Sequence, residues 1–399
     1  MKKLKARGQS VLSPVLGKYF DDFEVAAGRG SYLIDYRGQK YLDFAAGIAC
    51  NVTGHCHPKV VAAIKNQAEK LLHVCIGVAY YEPYVKLAEE LQKIAPMKNA
   101  QAFLCQSGTE AVEAAVKLAK YATRKPGIIA FQGGFHGRTL GALSITTSKM
   151  KYRDGYAPLL PEVYIAPLDL RVVKGLIESR SIGGLIIEPI LGEGGYIEVE
   201  NSFLKGLRQL CDANGVLLIF DEVQTGIGHT GQWFASQHAG VVPDIITVAK
   251  GIASGLPLGA CLAGAEIMAK WSPGAHGSTF GGNPVACAAA SATLEVIKKE
   301  KLLQNAARLG AYLKKNLSEL QTQHSELIKA VRGRGLMLGV DLGAGEPVKQ
   351  IINYCLEKKL VLISTGGDGT VIRFIPPLNV KKTEIDRALA IFADALAHV

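Results

Sequence analysis

The chain has 399 residues, of which 48% are hydrophobic and 20% are charged, which indicates a globular protein large enough for two domains. Its net charge is +10, but its 45 lysines and arginines form no dense basic block, so binding of nucleic acid is not expected. Attraction of an anionic cofactor and acidic substrates is enough to explain the positive charge. No apolar run is long enough to span a bilayer, no apolar signal core follows the basic N-terminus, and the eight cysteines form no CxxC pair, so we expect a cytoplasmic protein that binds neither membranes nor a metal.

The first hundred residues predict a β-hairpin, a structured loop and two helices. The hairpin is expected at residues 31–44. Residues 55–57 (His-Cys-His) match no common structural zinc pattern, so we expect a loop there rather than a metal site. Helices are predicted from about residue 59 to 72 and from 82 to 94.

Ser107, Gly108 and Thr109 lie between a predicted strand, residues 102–105, and a helix that extends to about residue 123. Such a turn gathers free backbone N–H groups and hydroxyls at the positive end of a helix, which favours a bound phosphate. An ordinary N-cap, with Ser107 or Thr109 capping the helix, explains the same residues equally well. Both interpretations stay open from the residues alone.

A loop flanked by glycines follows the next predicted strand, residues 127–131, and contains Phe135 and Arg138. Glycines let the backbone approach a ligand closely. A phenyl ring can lie on a flat aromatic ligand, and a guanidinium can bind a carboxylate through two N–H groups. The loop is therefore a candidate part of a ligand site.

Two further apolar runs, residues 216–220 and 244–249, have the length and β-branched content of buried parallel strands. Asp221 follows the first run and Lys250 follows the second. Because ligands of open α/β sheets bind outside the carboxyl ends of the strands, this acid and this amine should face one crevice. The regular alternation of strands and helices through residues 100–260 predicts a doubly wound, mostly parallel sheet.

The last third of the chain predicts a helical passage and then a second, smaller α/β region. Residues 277–284 form another Ser/Thr/Gly turn, which could bind a phosphate or cap a helix. The pattern is helical from residue 285 to about 331, interrupted only around Gly310. We therefore expect an N-terminal segment, residues 1–50, that packs with the small domain, a large domain of residues 51–285, and a small C-terminal domain of residues 286–399.

A phosphate turn, an aromatic residue, a strand-end carboxylate and a strand-end lysine together describe a site for pyridoxal 5′-phosphate. Lys250 would bond covalently to the aldehyde of the cofactor. Asp221 would pair with the pyridine nitrogen and keep it protonated, so that the ring accepts electrons. A lysine after a strand is ordinarily a solvated strand end, so it is the combination with Asp221 and the turn at residues 107–109 that favours the cofactor.

Six motifs of the chain, in order, resemble those of the class-III pyridoxal-phosphate aminotransferases. They are residues 107–111, 135–139, 188–195, 221–226, 249–250 and 277–284, and the similarity extends from Tyr32 to the last helix. The resemblance implies the fold type I architecture of pyridoxal-phosphate enzymes, with a smaller α/β domain at the C-terminus. It also implies a homodimer with active sites at the subunit interface, which uses an amine donor and 2-oxoglutarate or glutamate.

The resemblance assigns roles to individual residues. Cofactor-binding positions are Ser107, Gly108, Thr109, Phe135, His136, Asp221, Val223, Gln224, Lys250 and Thr279. Substrate-binding positions are Arg138, Glu193, Ser278 and Arg373. Lys250 and Asp221 are the catalytic pair, with Lys250 as the base that moves the substrate proton.

The remaining roles follow from the same resemblance. Gln224 would reach the ring hydroxyl, Phe135 and Val223 would enclose the ring, and the partner subunit would supply Thr279. Arg373 matches the arginine that binds the α-carboxylate of 2-oxoglutarate, and Glu193 matches the glutamate that covers this arginine when an ω-amine donor is bound. Arg138 matches the arginine for the distal carboxylate of acetylornithine.

The segments that bear on the identity of the amine donor resemble two different groups within the family. Asn51 in its loop, the short connection between residues 165 and 180, and residues 274–279 resemble acetylornithine aminotransferases, which we favour. Residues 73–84 and 362–366 resemble 4-aminobutyrate aminotransferases, which are the alternative. An aminomutase, racemase or decarboxylase on the same fold is less expected, because the pair of Glu193 and Arg373 serves alternation between two differently charged substrates.

One residue departs from the family's pattern. His229 stands where the family usually has arginine. We expect the loss of a surface or interface ion pair there and no catalytic role.

Overall fold

The computed structural model describes residues 4–399, and the chain begins with a helix and a small antiparallel sheet. Helix α1 (Leu4–Val11) leads into strands β1 (Val25–Arg29), β2 (Tyr32–Asp35) and β3 (Lys40–Asp43). Strand β2 pairs antiparallel with both of its neighbours, which confirms the predicted hairpin.

The middle of the chain alternates helices and strands around one large sheet. Its elements are α2 (Ala46–Ala49), α3 (Pro58–Ala68), α4 (Glu82–Ile94), β4 (Ala100–Cys105), α5 (Gly108–Thr123), β5 (Gly127–Phe131), α6 (Leu140–Ser144), β6 (Val163–Ala166), α7 (Leu170–Ser179), β7 (Ile182–Ile187), β8 (Ile190–Leu191), β9 (Ile197–Glu198), α8 (Asn201–Asn214), β10 (Leu217–Asp221), α9 (Ser236–Ala239), β11 (Ile245–Val248), β12 (Gly259–Gly264) and α10 (Ala265–Met268). The sheet has seven strands in the order β4-β12-β11-β10-β7-β5-β6. Only β12 runs antiparallel to its neighbours, so the predicted mostly parallel sheet is confirmed.

The central strands are buried because helices cover both faces of the sheet. All six residues of β7 and all five of β5 are buried. Each buried valine, leucine or isoleucine contributes about 1.5–3 kcal/mol to the free energy of folding. This burial fixes the strands, and it thereby fixes the positions of the polar residues that follow their carboxyl ends.

The last part of the chain is a smaller α/β region. Its elements are α11 (Pro284–Lys299), α12 (Leu302–Gln323), β13 (Ala330–Arg334), β14 (Met337–Asp341), α13 (Gly345–Glu357), β15 (Leu360–Val361), β16 (Ile363–Thr365), β17 (Val371–Phe374) and α14 (Lys382–Leu396). Strands β13-β14-β17-β16 form a four-stranded antiparallel sheet, and β15 pairs in parallel with β3 of the N-terminal segment. The domain boundaries at residues 50 and 285 stay a prediction.

The helical passage predicted from residue 285 to 331 is wrong in two details. The break between helices lies at Glu300 and Lys301, where Lys301 has a φ of +53°, and not at Gly310. Gly310 is buried inside α12, where an added Cβ would collide with the backbone of Gly335. The glycine therefore permits close packing instead of ending the helix. In addition, Val331 lies in β13 and not in a helix.

Within residues 4–399, none of the helices combines the length and the apolar character that crossing a bilayer requires.

Candidate active site

Residues that follow the strands β4, β5, β7, β10 and β11 line one cavity of about 410 Å³. The predicted site residues on its wall are Ser107, Gly108, Thr109, Phe135, His136, Arg138, Asp221, Val223, Gln224 and Lys250. Glu193, Ser278, Thr279 and Arg373 do not line it. The cavity lies at the carboxyl edge of the parallel strands, where ligands of such sheets bind.

Lys250 stands just beyond β11, at the start of a short 3-10 helix of residues 250–253. Its φ of +48° is a left-handed conformation, which costs a residue other than glycine about 1–2 kcal/mol. The next residue, Gly251, packs so closely that an added Cβ would lie 2.5 Å from Val52. The surrounding packing thus holds the strained turn that brings Lys250 to the cavity.

Asp221 ends β10 and accepts hydrogen bonds from three directions. Its Oδ1 accepts from the Thr247 hydroxyl at 3.0 Å and from the Val223 N–H at 3.1 Å, and its Oδ2 lies 2.7 Å from Nδ1 of His136. Burial alone would lower the pKa of His136, but the hydrogen bond and the charge of Asp221 outweigh it and raise that pKa above its ordinary value. The arrangement keeps a buried negative charge at the cavity wall.

Gln224 holds an unsatisfied atom that a cofactor would satisfy. Its Oε1 is buried and has no hydrogen-bond partner anywhere in residues 4–399. Its Nε2 is confined by Gly192, where an added Cβ would lie 2.6 Å away. A buried acceptor without a partner costs about 1–3 kcal/mol, and the ring hydroxyl of pyridoxal phosphate is a donor of the required kind. The residues present therefore fit this cofactor.

The turn at the start of α5 has the features of both an N-cap and a phosphate site. Ser107 is the N-cap, because its Oγ accepts from the Glu110 N–H at 3.3 Å and donates to the Glu110 carboxylate at 2.9 Å. The N–H groups of Gly108 and Thr109 have no partner within the described part of the chain. They lie at the positive end of a 16-residue helix, which suits a phosphate. An added Cβ on Gly108 would lie 2.8 Å from Val223, so only glycine fits there.

Arg373 forms a separate, buried cluster with Glu193. Its Nη1 donates to Glu193 Oε1 at 2.6 Å, its Nε and Nη2 donate to the Ser364 carbonyl at 3.1 and 2.9 Å, and Nη2 lies 2.9 Å from the Tyr19 hydroxyl. Only 1% of Arg373 is exposed. Burial would lower the pKa of Arg373, but the Glu193 carboxylate outweighs it and raises that pKa, so the guanidinium stays charged. Burial would raise the pKa of Glu193, but the arginine lowers it below the ordinary value.

Arg138 is exposed and rests on aromatic rings. Its guanidinium carbon lies 4.6 Å from the ring centroid of Tyr152 and 5.9 Å from that of Phe135. Such contacts hold the guanidinium against the cavity wall, where it can bind an anion.

Ser278 lies near the cavity but does not face it. Its hydroxyl is 2.8 Å from the amide of Gln106, the residue that precedes the turn at Ser107. Neither Ser278 nor Thr279 lines the cavity of its own chain. Both residues thus lie outside the cavity of their own chain, as Glu193 and Arg373 do.

Several residues near the site escape the sequence prediction. Tyr19 touches Arg373 across 354 positions of sequence, and no local pattern signals that contact. Tyr152 supports Arg138, and Thr247 supports Asp221. Glu188, by contrast, begins the predicted motif of residues 188–195. Its carboxylate accepts hydrogen bonds from the N–H groups of Phe135 at 2.8 Å and Gly192 at 3.0 Å, and burial raises its pKa to about 7. It fixes the two loops that flank the cavity.

His229 lies buried beneath the turn that carries Lys250. Its Nδ1 is 3.3 Å from the Gly226 carbonyl, and its Nε2 has no partner in the described residues. Burial lowers the pKa of His229 to about 4, so the imidazole is neutral. Only 1% of His229 is exposed in the single chain, and the expected loss of an ion pair stays a prediction.

Comparison with known proteins gives one consistent family. The profile described as "Aminotransferase class-III" matches residues 18–396. An acetylornithine aminotransferase of Methanopyrus kandleri is 45% identical over 92% of this chain and 93% of its own. A 5-aminovalerate aminotransferase of Pseudomonas aeruginosa is 40% identical over 97% of this chain and 95% of its own. A solved ornithine aminotransferase of Toxoplasma gondii has a TM-score of 0.93 at 30% identity, and the match covers 100% of this chain and 96% of that one. That structure is described with partial occupancy of pyridoxal phosphate at its active site.

Proposed function

The chain belongs to the class-III aminotransferases, which are pyridoxal-phosphate enzymes, and we propose that it transfers the terminal amino group of an N-acetylornithine-like donor to 2-oxoglutarate. The products are a semialdehyde and glutamate. The ion pair between Glu193 and Arg373, with its 2.6 Å contact, carries this proposal. An arginine that is covered by a movable carboxylate can bind the α-carboxylate of 2-oxoglutarate in one half-reaction and stay covered while an ω-amine donor reacts in the other.

The residues on the cavity wall would hold and serve the cofactor. The N–H groups of Gly108 and Thr109 would bind its phosphate, and Gln224 would accept a hydrogen bond from its ring hydroxyl. Asp221, anchored by His136 and Thr247, would pair with the ring nitrogen. When bound, pyridoxal phosphate supplies an aldehyde for the amino group and a ring that takes up the electrons of the broken C–H bond.

The substrate is handled by Lys250 and the two arginines. Lys250 would hold the cofactor through its amine, and the same amine would serve as the base that moves the proton at the substrate carbon. Arg138 binds the distal carboxylate of the donor, held in place by Tyr152. Arg373 binds the α-carboxylate of 2-oxoglutarate after Glu193 has moved away.

A second donor class is an ω-amino acid without an acetamido group, such as 5-aminovalerate or 4-aminobutyrate. The 40% identical 5-aminovalerate aminotransferase of P. aeruginosa favours it. Both donor classes place the reacting amine far from a carboxylate, so the same arginine serves either one. They differ in the acetamido group, which only N-acetylornithine carries.

A panel of half-reactions tests the donor. Purified holoenzyme is mixed with acetylornithine, ornithine, succinylornithine, 4-aminobutyrate, 5-aminovalerate or lysine, and the cofactor absorbance is followed until 2-oxoglutarate restores it. We expect the highest kcat/KM with acetylornithine. A higher value with 5-aminovalerate or 4-aminobutyrate would replace the donor, and no absorbance change with any amine would refute the aminotransferase assignment to this site.

We also propose a homodimer in which each subunit supplies Thr279 to the site of the other. Large apolar side chains near Thr279 are exposed in the single chain, among them Leu72 at 65%, Tyr80 at 89% and Phe280 at 56%. Their segments are close together, because Asn283 donates to the Leu72 carbonyl at 2.8 Å and Phe280 packs on His73 with ring centroids 4.7 Å apart. Tyr81, which follows Tyr80, donates to the Gly282 carbonyl at 2.7 Å. An apolar patch of this kind indicates a protein interface.

Subunit mixing tests the dimer. The Lys250→Ala and Thr279→Ala variants are each expected to have little activity. After unfolding and refolding together in equal amounts, about a quarter of the sites would regain both residues, one from each chain. Activity that stays at the average of the two separate variants would refute the shared site.

The eight cysteines support a cytoplasmic location, which we propose as well. All of them are free thiols, which is expected of a protein kept in a reducing compartment. Cell fractionation that finds the enzyme outside the cytoplasm would contradict this proposal.

A further inference from the structure

Moving Glu193 away from Arg373 has a cost that other residues must offset. Only 13% of the Glu193 side chain is exposed, and its pKa is lowered chiefly by the charge of Arg373 once its burial is overcome. A carboxylate that leaves such a partner without finding another cation is left partly buried and unpaired, which is strongly unfavourable. The alternation of carboxylates at Arg373 therefore requires a second position for Glu193.

Lys149 lies on a loop beside the segment that contacts Glu193, and its ammonium has no hydrogen-bond or ion-pair partner among residues 4–399. Lys149 is half-buried. Burial lowers the pKa of Lys149, and the negative charge of Glu193 is the largest effect that raises it. The positive charges of Lys151 and Arg373 lower this pKa further, and the charge of Asp368, the smallest of these effects, raises it. A half-buried ammonium without a bonded partner costs free energy, and such a cost is commonly kept at functional sites.

The backbone explains why Lys149 lies there. The N–H groups of Thr147 and Ser148 both donate to the Gly134 carbonyl, at 2.7 and 3.0 Å. On the other side, an added Cβ on Gly367 would lie 3.7 Å from the Ser148 carbonyl. The neighbouring Gly366 donates its N–H to the Glu193 carbonyl at 3.2 Å. The loop at residues 147–149 is thus fixed between the glycine turn of the cavity and the loop that touches Glu193.

We propose that Lys149 receives the carboxylate of Glu193 when Arg373 binds the α-carboxylate of 2-oxoglutarate. Lys149 is then a positioning residue for the second half-reaction, acting through Glu193 and not on the substrate. This inference rests on the proposed function, because it assumes that 2-oxoglutarate displaces Glu193. It makes Lys149 important for the keto acid and unimportant for the ω-amine donor.

The experiment separates the two half-reactions of Lys149→Met by stopped-flow absorbance of the cofactor. We expect the apparent KM for 2-oxoglutarate to rise roughly three- to tenfold, with the apparent KM for the amine donor changed by less than about twofold. Lys149→Arg keeps the positive charge and should restore the KM for 2-oxoglutarate. Lys151→Met is the matched control, because this neighbouring lysine is exposed and has only a 5.9 Å contact with the Tyr152 ring.

The variant Glu193→Gln distinguishes the proposed role from direct binding of substrate. In this background there is no carboxylate to receive, so adding Lys149→Met should leave the KM for 2-oxoglutarate unchanged. If Lys149→Met still raises this KM, the lysine binds the keto acid itself and the proposal is overturned. It is equally overturned if Lys149→Met matches wild type in both half-reactions. The wild-type enzyme measured in parallel tests the proposed function separately, because it must complete both half-reactions whatever Lys149 does.

Discussion

Replacing Arg373 by alanine should damage the two half-reactions very unequally. The wild-type guanidinium is 1% exposed and is held by Glu193, the Ser364 carbonyl and the Tyr19 hydroxyl. The substrate carboxylate therefore meets a charged, desolvated and oriented partner in the wild type and has none in the variant. A charge-assisted pair of this kind is worth about 3–5 kcal/mol, which predicts a loss of at least about a hundredfold in kcat/KM for 2-oxoglutarate. The donor half-reaction leaves Arg373 covered, and we expect it to fall less than about tenfold.

The same substitution should also destabilise the fold, because it leaves Glu193 partly buried without its cation. We expect a loss of about 3 kcal/mol in the free energy of unfolding, measured by chemical denaturation. The double variant Arg373→Met with Glu193→Gln removes both charges together and should recover most of that stability while remaining inactive with 2-oxoglutarate. Equal losses in the two half-reactions of Arg373→Ala would remove Arg373 from carboxylate binding, whatever its effect on stability.

Three further predictions concern the residues around Lys250. Lys250→Ala should abolish turnover and the chromophore that borohydride reduces, and retention of both would contradict its role. Asp221→Asn should keep the fold but lower kcat by at least about a hundredfold and weaken cofactor binding, measured by fluorescence titration of the apoenzyme, since an amide cannot supply the negative charge beside the ring nitrogen. The pKa of His229 is lowered to about 4 in the folded chain, so the unfolded chain binds the proton first as the pH falls. The free energy of unfolding of the wild type should therefore decrease between about pH 6.5 and pH 4, by up to about 3 kcal/mol. His229→Leu should flatten this dependence in denaturation curves at about pH 8 and pH 5, and an unchanged slope would show that other groups cause it.

The cofactor half of the site was predictable because it depends on one simple rule. Asp221 and Lys250 each come shortly after a buried strand, and parallel strands end at the same edge of a sheet. The turn at Ser107 follows β4, which is parallel to them, so it reaches the same cavity. Apolar runs and their polar ends are local features that a sequence displays directly.

The features that the sequence analysis missed or predicted wrongly depend on contacts between distant residues or carry no local signal. Gly310 looks like a helix breaker in sequence, and only its contact with Gly335 shows that it is a packing position. Strand β12 was not predicted, because its composition of alanine and glycine with few β-branched residues carries no strand signal. The contact of Tyr19 with Arg373 joins the two ends of the chain and depends on the pairing of β3 with β15 and on the fold of the C-terminal part. Such contacts exist only once the tertiary structure is formed.

This contrast bears on how the donor is selected. The residues that would hold the cofactor follow the strands of one rigid sheet, so a substitution among them changes chemistry that every member of the family needs. Most of the groups proposed to handle carboxylates lie on loops or terminal segments: Tyr19 in the N-terminal segment, Arg138 and Lys149 after β5, and Glu193 after β8. Arg373, on β17, is the exception. Loops and terminal segments tolerate change better than a buried sheet does. Relatives with the same fold are accordingly named for acetylornithine, 5-aminovalerate and ornithine, and the donor of this enzyme should be changed more readily by substitutions on these segments than by any substitution between residues 216 and 250.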